Sequence, residues 1–137
     1  MDSGYSKHNK FPSIWAEIDA EALQFNLKQI KNRVGRRVGI MAVVKDNAYG
    51  HGAVFTAKIL SKSGVSMFGV SEPAEALELA ESGIKNPVMI LSPLYGGHIR
   101  DTVRFGFTQA VCDKAFAGAL SREAKRQNII AKVHLKI

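Results

Sequence analysis

Apolar positions along most of the chain follow two periods in turn. After Asp19, a suitable N-cap, Leu23, Leu27, Ile30 and Val34 recur at helical spacing until Gly35, a suitable stop. This pattern predicts an amphipathic helix ending near Gly35. Residues 38–45 are short and nearly all apolar, as in a strand buried on both faces, and residues 53–63 return to helical spacing before Gly64. The alternation then repeats. A strand is predicted over 67–71, a helix over 72–83 with Pro73 in its first turn, and a strand over 87–91. A shorter helix over 96–106, a strand over 108–112, a helix over 113–128 and a strand over 131–137 complete the series.

Strands that recur about every 20 to 25 residues with one helix between them are the signature of right-handed βαβ units and a parallel sheet. The fold class is therefore α/β, with about five parallel strands in one domain over residues 11–137. Composition agrees: 137 residues at 46% hydrophobic content can bury one core of ordinary domain size. Two architectures fit this order, an open doubly wound sheet or the N-terminal portion of a (β/α)8 TIM barrel. A complete barrel takes roughly 200 residues or more. The chain has room for about half of one, so a barrel here would be incomplete.

In either architecture the chemistry lies at the carboxyl ends of the strands. There the sequence reads AVVKDNAYGHG, residues 42–52, in which an apolar run delivers Lys45 into a glycine-rich polar turn. A lysine there, partly desolvated by Met41 to Val44, would have its ammonium form disfavoured, which is what attack on an aldehyde near neutral pH requires. The turn also offers donors to a phosphate group: N–H groups at Gly50 and Gly52, the Tyr49 hydroxyl, the Asn47 amide and the start of the next helix. The plainer reading has Lys45 snorkelling into water, the glycines serving only the turn, and His51 acting as a structural donor. No G-x-x-x-x-G-K-[ST] string is present, so a nucleotide P-loop is excluded.

The net charge is +7, from 19 Lys and Arg against 12 Asp and Glu. The basic residues are scattered, with only short groups at Arg36–Arg37 and Lys125–Arg126, which argues against nucleic-acid binding and suits an anionic small molecule. The single Cys112 excludes an internal disulfide and a cysteine metal cluster; it is expected to be a small core residue in a cytoplasmic protein. Residues 1–10 are polar and are expected to form a loose arm. No apolar run approaches the roughly 18 residues of a membrane span, so the chain is expected to be soluble.

The string around Lys45 resembles the cofactor-lysine motif of the alanine racemases, pyridoxal-phosphate enzymes of fold type III. WAEIDAEALQFNL (15–27) is similar to that family's opening, FGVSEPAEALELAESGI (68–84) to its second strand and helix, and VHLKI (133–137) to its fifth strand. The resemblance runs from about Phe11 to the end. It implies a TIM barrel, a pyridoxal 5'-phosphate cofactor held by Lys45 as an internal aldimine, and racemisation of L- and D-alanine with Lys45 as the D-face base. The cofactor withdraws electrons from the substrate Cα, so that a weak base removes its proton. The resemblance further implies that Tyr49 helps hold the cofactor phosphate, and that Lys136 matches a lysine carbamylated in many members, where it orients a substrate-binding arginine. A cytoplasmic homodimer supplying D-alanine for bacterial cell walls is the implied setting. The alternatives are a racemase acting on serine or lysine, a non-catalytic pyridoxal-phosphate-binding protein, or an interaction fragment that binds no cofactor.

Two departures from the family pattern stand out. Asp46 replaces a residue that is usually small, and on a continuing strand it is expected to point away from Lys45. If it approached Lys45 instead, it would hinder attachment of the cofactor. In addition, the sequence ends at Ile137, before the family's arginine, its partner-contributed tyrosine base and its C-terminal β domain. The chain is therefore expected to be an N-terminal part of a racemase, inactive by itself and prone to self-association through its open strand edges.

Overall fold

The computed structural model describes residues 16–93 and 98–137. The arm expected over residues 1–10 lies outside the described residues, as do residues 96 and 97 of the expected fourth helix. The elements follow in the order α1 (Ala20–Val34), β1 (Met41–Val43), α2 (Lys45–Tyr49), α3 (Ala53–Lys62), β2 (Met67–Val70) and α4 (Pro73–Glu81). Then come β3 (Val88–Ile90), α5 (Ile99–Arg104), β4 (Thr108–Val111), α6 (Lys114–Gln127) and β5 (Lys132–Leu135).

Local chemistry explains the helix ends. The Asp19 carboxylate accepts from the Glu21 and Ala22 N–H groups at 2.8 and 3.0 Å, satisfying donors that the first turn of α1 leaves free. Gly35, at φ 84°, closes the same helix by donating to the Lys31 carbonyl. Pro73 opens α4 as expected, behind a capping box in which Glu72 and Glu75 exchange side-chain and backbone contacts.

The five strands pair in the order β1-β2-β3-β4-β5, all parallel. This decides between the two architectures. A doubly wound sheet reverses its strand order at a switch point, whereas an unbroken sequential order with right-handed crossovers puts every connecting helix on one face. The five strands form a singly wound, barrel-type sheet. Phe68, Val70, Val88 and Ile90 alternate onto the helical face and are buried with Ala57 and Leu60 of α3 and Ala76 and Leu79 of α4. Val111 lies against Phe116, Leu120 and Ala124 of α6 in a second cluster.

The opposite face carries no helix among the described residues. Met41, Val43, Gly69 and Leu91 lie there, packed so closely that a Cβ on Gly69 would stand 3.3 Å from Leu91 Cδ1 and from Met41 Sδ. At the open edge every residue of β5 is exposed, with Val133 and Leu135 at 55% and 68%. Cys112, expected in the core, is exposed where the chain leaves β4 at its carboxyl end. No helix among the described residues is long and apolar enough to cross a membrane.

Candidate active site

β1 is shorter than its apolar run. The Val44 N–H still bonds to the Gly69 carbonyl at 2.8 Å, and Val44 is buried, but Lys45 already begins α2. This single turn is left-handed: Asp46, Asn47, Ala48 and Tyr49 all have φ between 53° and 54°. L-residues in that region cost roughly 1–2 kcal/mol each, less for Asn and Asp, so four in succession persist only where surrounding contacts fix them. Gly50, at φ 88°, extends the same hand without a Cβ penalty.

Those contacts are explicit. The Ala48 N–H donates to the Val44 carbonyl at 2.9 Å, and the Gly52 N–H to the Asn47 carbonyl at 2.9 Å. Asn47 Oδ1 accepts from the Ala53 N–H at 2.8 Å, capping α3. His51 Nδ1 lies 2.9 Å from the Ala48 carbonyl, the structural role its position suggested. Ala48 itself is buried under the turn, where a larger side chain would not fit the same packing.

The turn leaves Lys45 and Tyr49 facing outward together. Lys45 Nζ stands 5.9 Å from the centre of the Tyr49 ring, which is 59% exposed. One expectation is corrected here. The Lys45 side chain is 37% exposed, in keeping with the partial desolvation expected of it, although the chain turns out of the sheet before Lys45. Asp46 does not point away: the strand does not continue, the left-handed backbone swings its carboxylate round, and Asp46 Oδ2 lies 3.7 Å from Lys45 Nζ.

Lys136 lies at the carboxyl end of β5, and its N–H bonds to the Val111 carbonyl at 2.9 Å. It continues the alternation of Lys132 and His134, which pair with Thr108 and Ala110 and so belong to the face opposite the helices. Lys45 and Lys136 thus occupy the same rim of the sheet, on its first and fifth strands. The fold puts them on one rim without bringing them into contact.

Sequence reasoning did not single out Glu75. Its Oε2 accepts from the Ser71 and Glu72 N–H groups at 2.7 and 3.0 Å, as a capping box requires, while Oε1 accepts from the Asp46 N–H at 2.5 Å. The string EPAE announces the cap, but nothing local announces the third donor, which lies 29 residues earlier.

Comparison with known proteins places this geometry. The family model described as "Alanine racemase, N-terminal domain" matches residues 18–137. Alanine racemase 1 of Caldanaerobacter subterraneus subsp. tengcongensis is 46% identical over 121 residues, which are 88% of this chain and 31% of that protein. Among solved structures, the alanine racemase of Clostridium difficile 630 in complex with cycloserine superposes with a TM-score of 0.83 at 36% identity, over 85% of this chain and 31% of that one. The histidine racemase of Leuconostoc mesenteroides subsp. sake superposes at 0.76 and 29% identity, over 83% of this chain and 30% of that one. The chain spans about a third of the length of the relatives it matches. With the match running through β1 to β5 and including the Lys45 turn, the chain belongs to the alanine racemase N-terminal domain family.

Proposed function

We propose that the protein containing this chain is a pyridoxal-phosphate-dependent racemase that interconverts L- and D-alanine, with Lys45 as the cofactor lysine and one of its two bases. The observation that carries this reading is the placement of Lys45 on a left-handed turn at the carboxyl end of β1, in a chain of the alanine racemase family. The residues present suit the cofactor. An accessible primary amine and a phenol hydroxyl stand on one rigid turn, matching an aldehyde at one end of a ligand and a phosphate at the other. When bound, pyridoxal phosphate supplies an electron sink that acidifies the substrate Cα. Lys45 would hold the cofactor through Nζ, and the same amine would hold or deliver a proton on one face of that carbon. Tyr49 offers its hydroxyl to the phosphate, and Asn47 and His51 keep the turn rigid. Lys136, on the same rim, is the residue for carbamylation. A second base, a homodimer partner and a role in cell-wall precursor supply belong to the same proposal.

The test is an alanine racemisation assay on the full-length gene product, alongside its Lys45→Ala variant. Racemisation by the parent and a loss of at least about a thousandfold in the variant are expected, since both attachment and proton transfer are removed. A second reading, racemisation of another amino acid on the same scaffold, is favoured by the structural likeness to the histidine racemase. Assaying histidine, serine and lysine beside alanine separates the two.

A further inference from the structure

We infer that Glu75 is a positioning residue for Lys45: its carboxylate fastens the left-handed turn to the start of α4, and this sets the direction from which the Lys45 amine meets the cofactor. The inference rests on the reading of Lys45 as the cofactor lysine. Among the described residues, the bond from the Asp46 N–H to Glu75 Oε1 is the one side-chain hydrogen bond that ties the turn to an element beyond α3. The bonded donor is the residue adjacent to Lys45, and it opens a run of four left-handed residues that has no glycine until Gly50. A bond to a carboxylate is stronger than one between neutral groups, so it is well suited to hold a strained backbone. Glu75 is half-buried, and its two oxygens divide the work, Oε2 serving the helix cap and Oε1 the turn.

That division makes the role separable from helix stability. In Glu75→Gln the remaining oxygen keeps the two cap donors, because two bonds outweigh one, and the new NH2 faces the Asp46 N–H, donor against donor. Glu72→Ala is the matched control, weakening the same cap without touching Asp46. The full-length protein and both variants are titrated with pyridoxal phosphate, followed by the visible absorbance and circular dichroism of the bound cofactor. Borohydride trapping mapped by mass spectrometry reports attachment at Lys45, and melting temperatures of the cofactor-free proteins report the fold. Glu75→Gln is expected to bind the cofactor about tenfold more weakly and with altered dichroism, while Glu72→Ala binds as the parent does. Wild-type affinity and dichroism in Glu75→Gln overturn the inference. So does an equal loss in both variants, which assigns Glu75 to helix stability alone, even if Glu75→Gln also melts early. A parent protein that takes up no cofactor at Lys45 overturns the cofactor reading itself, a result distinct from the other two.

Discussion

The Lys45 turn joins the proposed cofactor lysine to a strained neighbour. Asp46 sits in the left-handed region, which Asp and Asn tolerate better than other L-residues, and its carboxylate forms an ion pair with Lys45 that the proposed attachment of the cofactor would have to break. Asp46→Asn removes the charge and keeps the backbone preference. It is expected to speed covalent capture of pyridoxal phosphate by up to about fivefold, the scale of an exposed ion pair, with the advantage shrinking at high salt. Asp46→Ala is expected to gain less, because alanine pays more for the left-handed backbone. Stopped-flow absorbance separates the two variants; equal rates in Asp46→Asn and the parent would remove the ion pair from the account. The place of Lys45 just beyond β1 was legible because an amine at the end of an apolar run is a local signal. The direction of Asp46 was not, because it depends on where β1 stops.

The helices carry their own instructions more fully than the strands do. In α6, Glu123 accepts from Arg126 Nε and Nη2 at 2.8 and 2.6 Å and from Gln127 Nε2 at 2.5 Å. Hydrogen bonding to Arg126, then to Gln127, holds the Glu123 carboxyl down to about 2 from 4.5. A carboxyl depressed in the folded state contributes stability that is fully present above the unfolded value and is lost as pH falls through the folded one. The stability difference between the protein and Glu123→Gln is therefore expected to be constant above about pH 4.5 and to vanish progressively toward pH 2. Denaturant titrations across that range check this, and a difference independent of pH would exclude the pairing. Helix spans followed from 3.6-residue spacing to within a residue or two where they are described, as in α3 and α6. β1 was read as eight residues and has three, because a continuous apolar run does not say where its hydrogen-bonding partner ends.

The sheet has one face packed under helices, and its stability rests there. Phe68 is fully buried on β2 between the first and third strands of the sheet. Phe68→Ala in the full-length protein is expected to cost about 3–5 kcal/mol by chemical denaturation, the usual loss for a buried aromatic ring. The exposed apolar residues Val133, Leu135 and Ile130 near the β5 edge show where the sheet would extend or associate. By the strand register Val133 lies on the helical face too, but it is 55% exposed, so Val133→Ala is expected to cost less than Phe68→Ala, and an equal loss in the same titration would show that the β5 edge is covered.

By itself the sequence determined that the chain is a parallel α/β unit, that its elements alternate in a particular order, and that Lys45 stands at the carboxyl end of the first strand. These follow from periods of 3.6 and 2, from caps such as Asp19, and from the rule that parallel strands need crossovers, all of which act over a few residues. From periodicity alone, whether the strands run in sequential order or reverse was open, because strand order leaves no local period; the resemblance around Lys45 implied the barrel order, and the pairing bears it out. The left-handed backbone of Asp46 to Tyr49 was hidden, since two of those four residues, Ala48 and Tyr49, have no intrinsic tendency to leave right-handed space, and it is held by bonds from Glu75 and the flanking backbone. A long-range contact settled the turn, because only in the folded chain do a donor and an acceptor 29 residues apart come within reach.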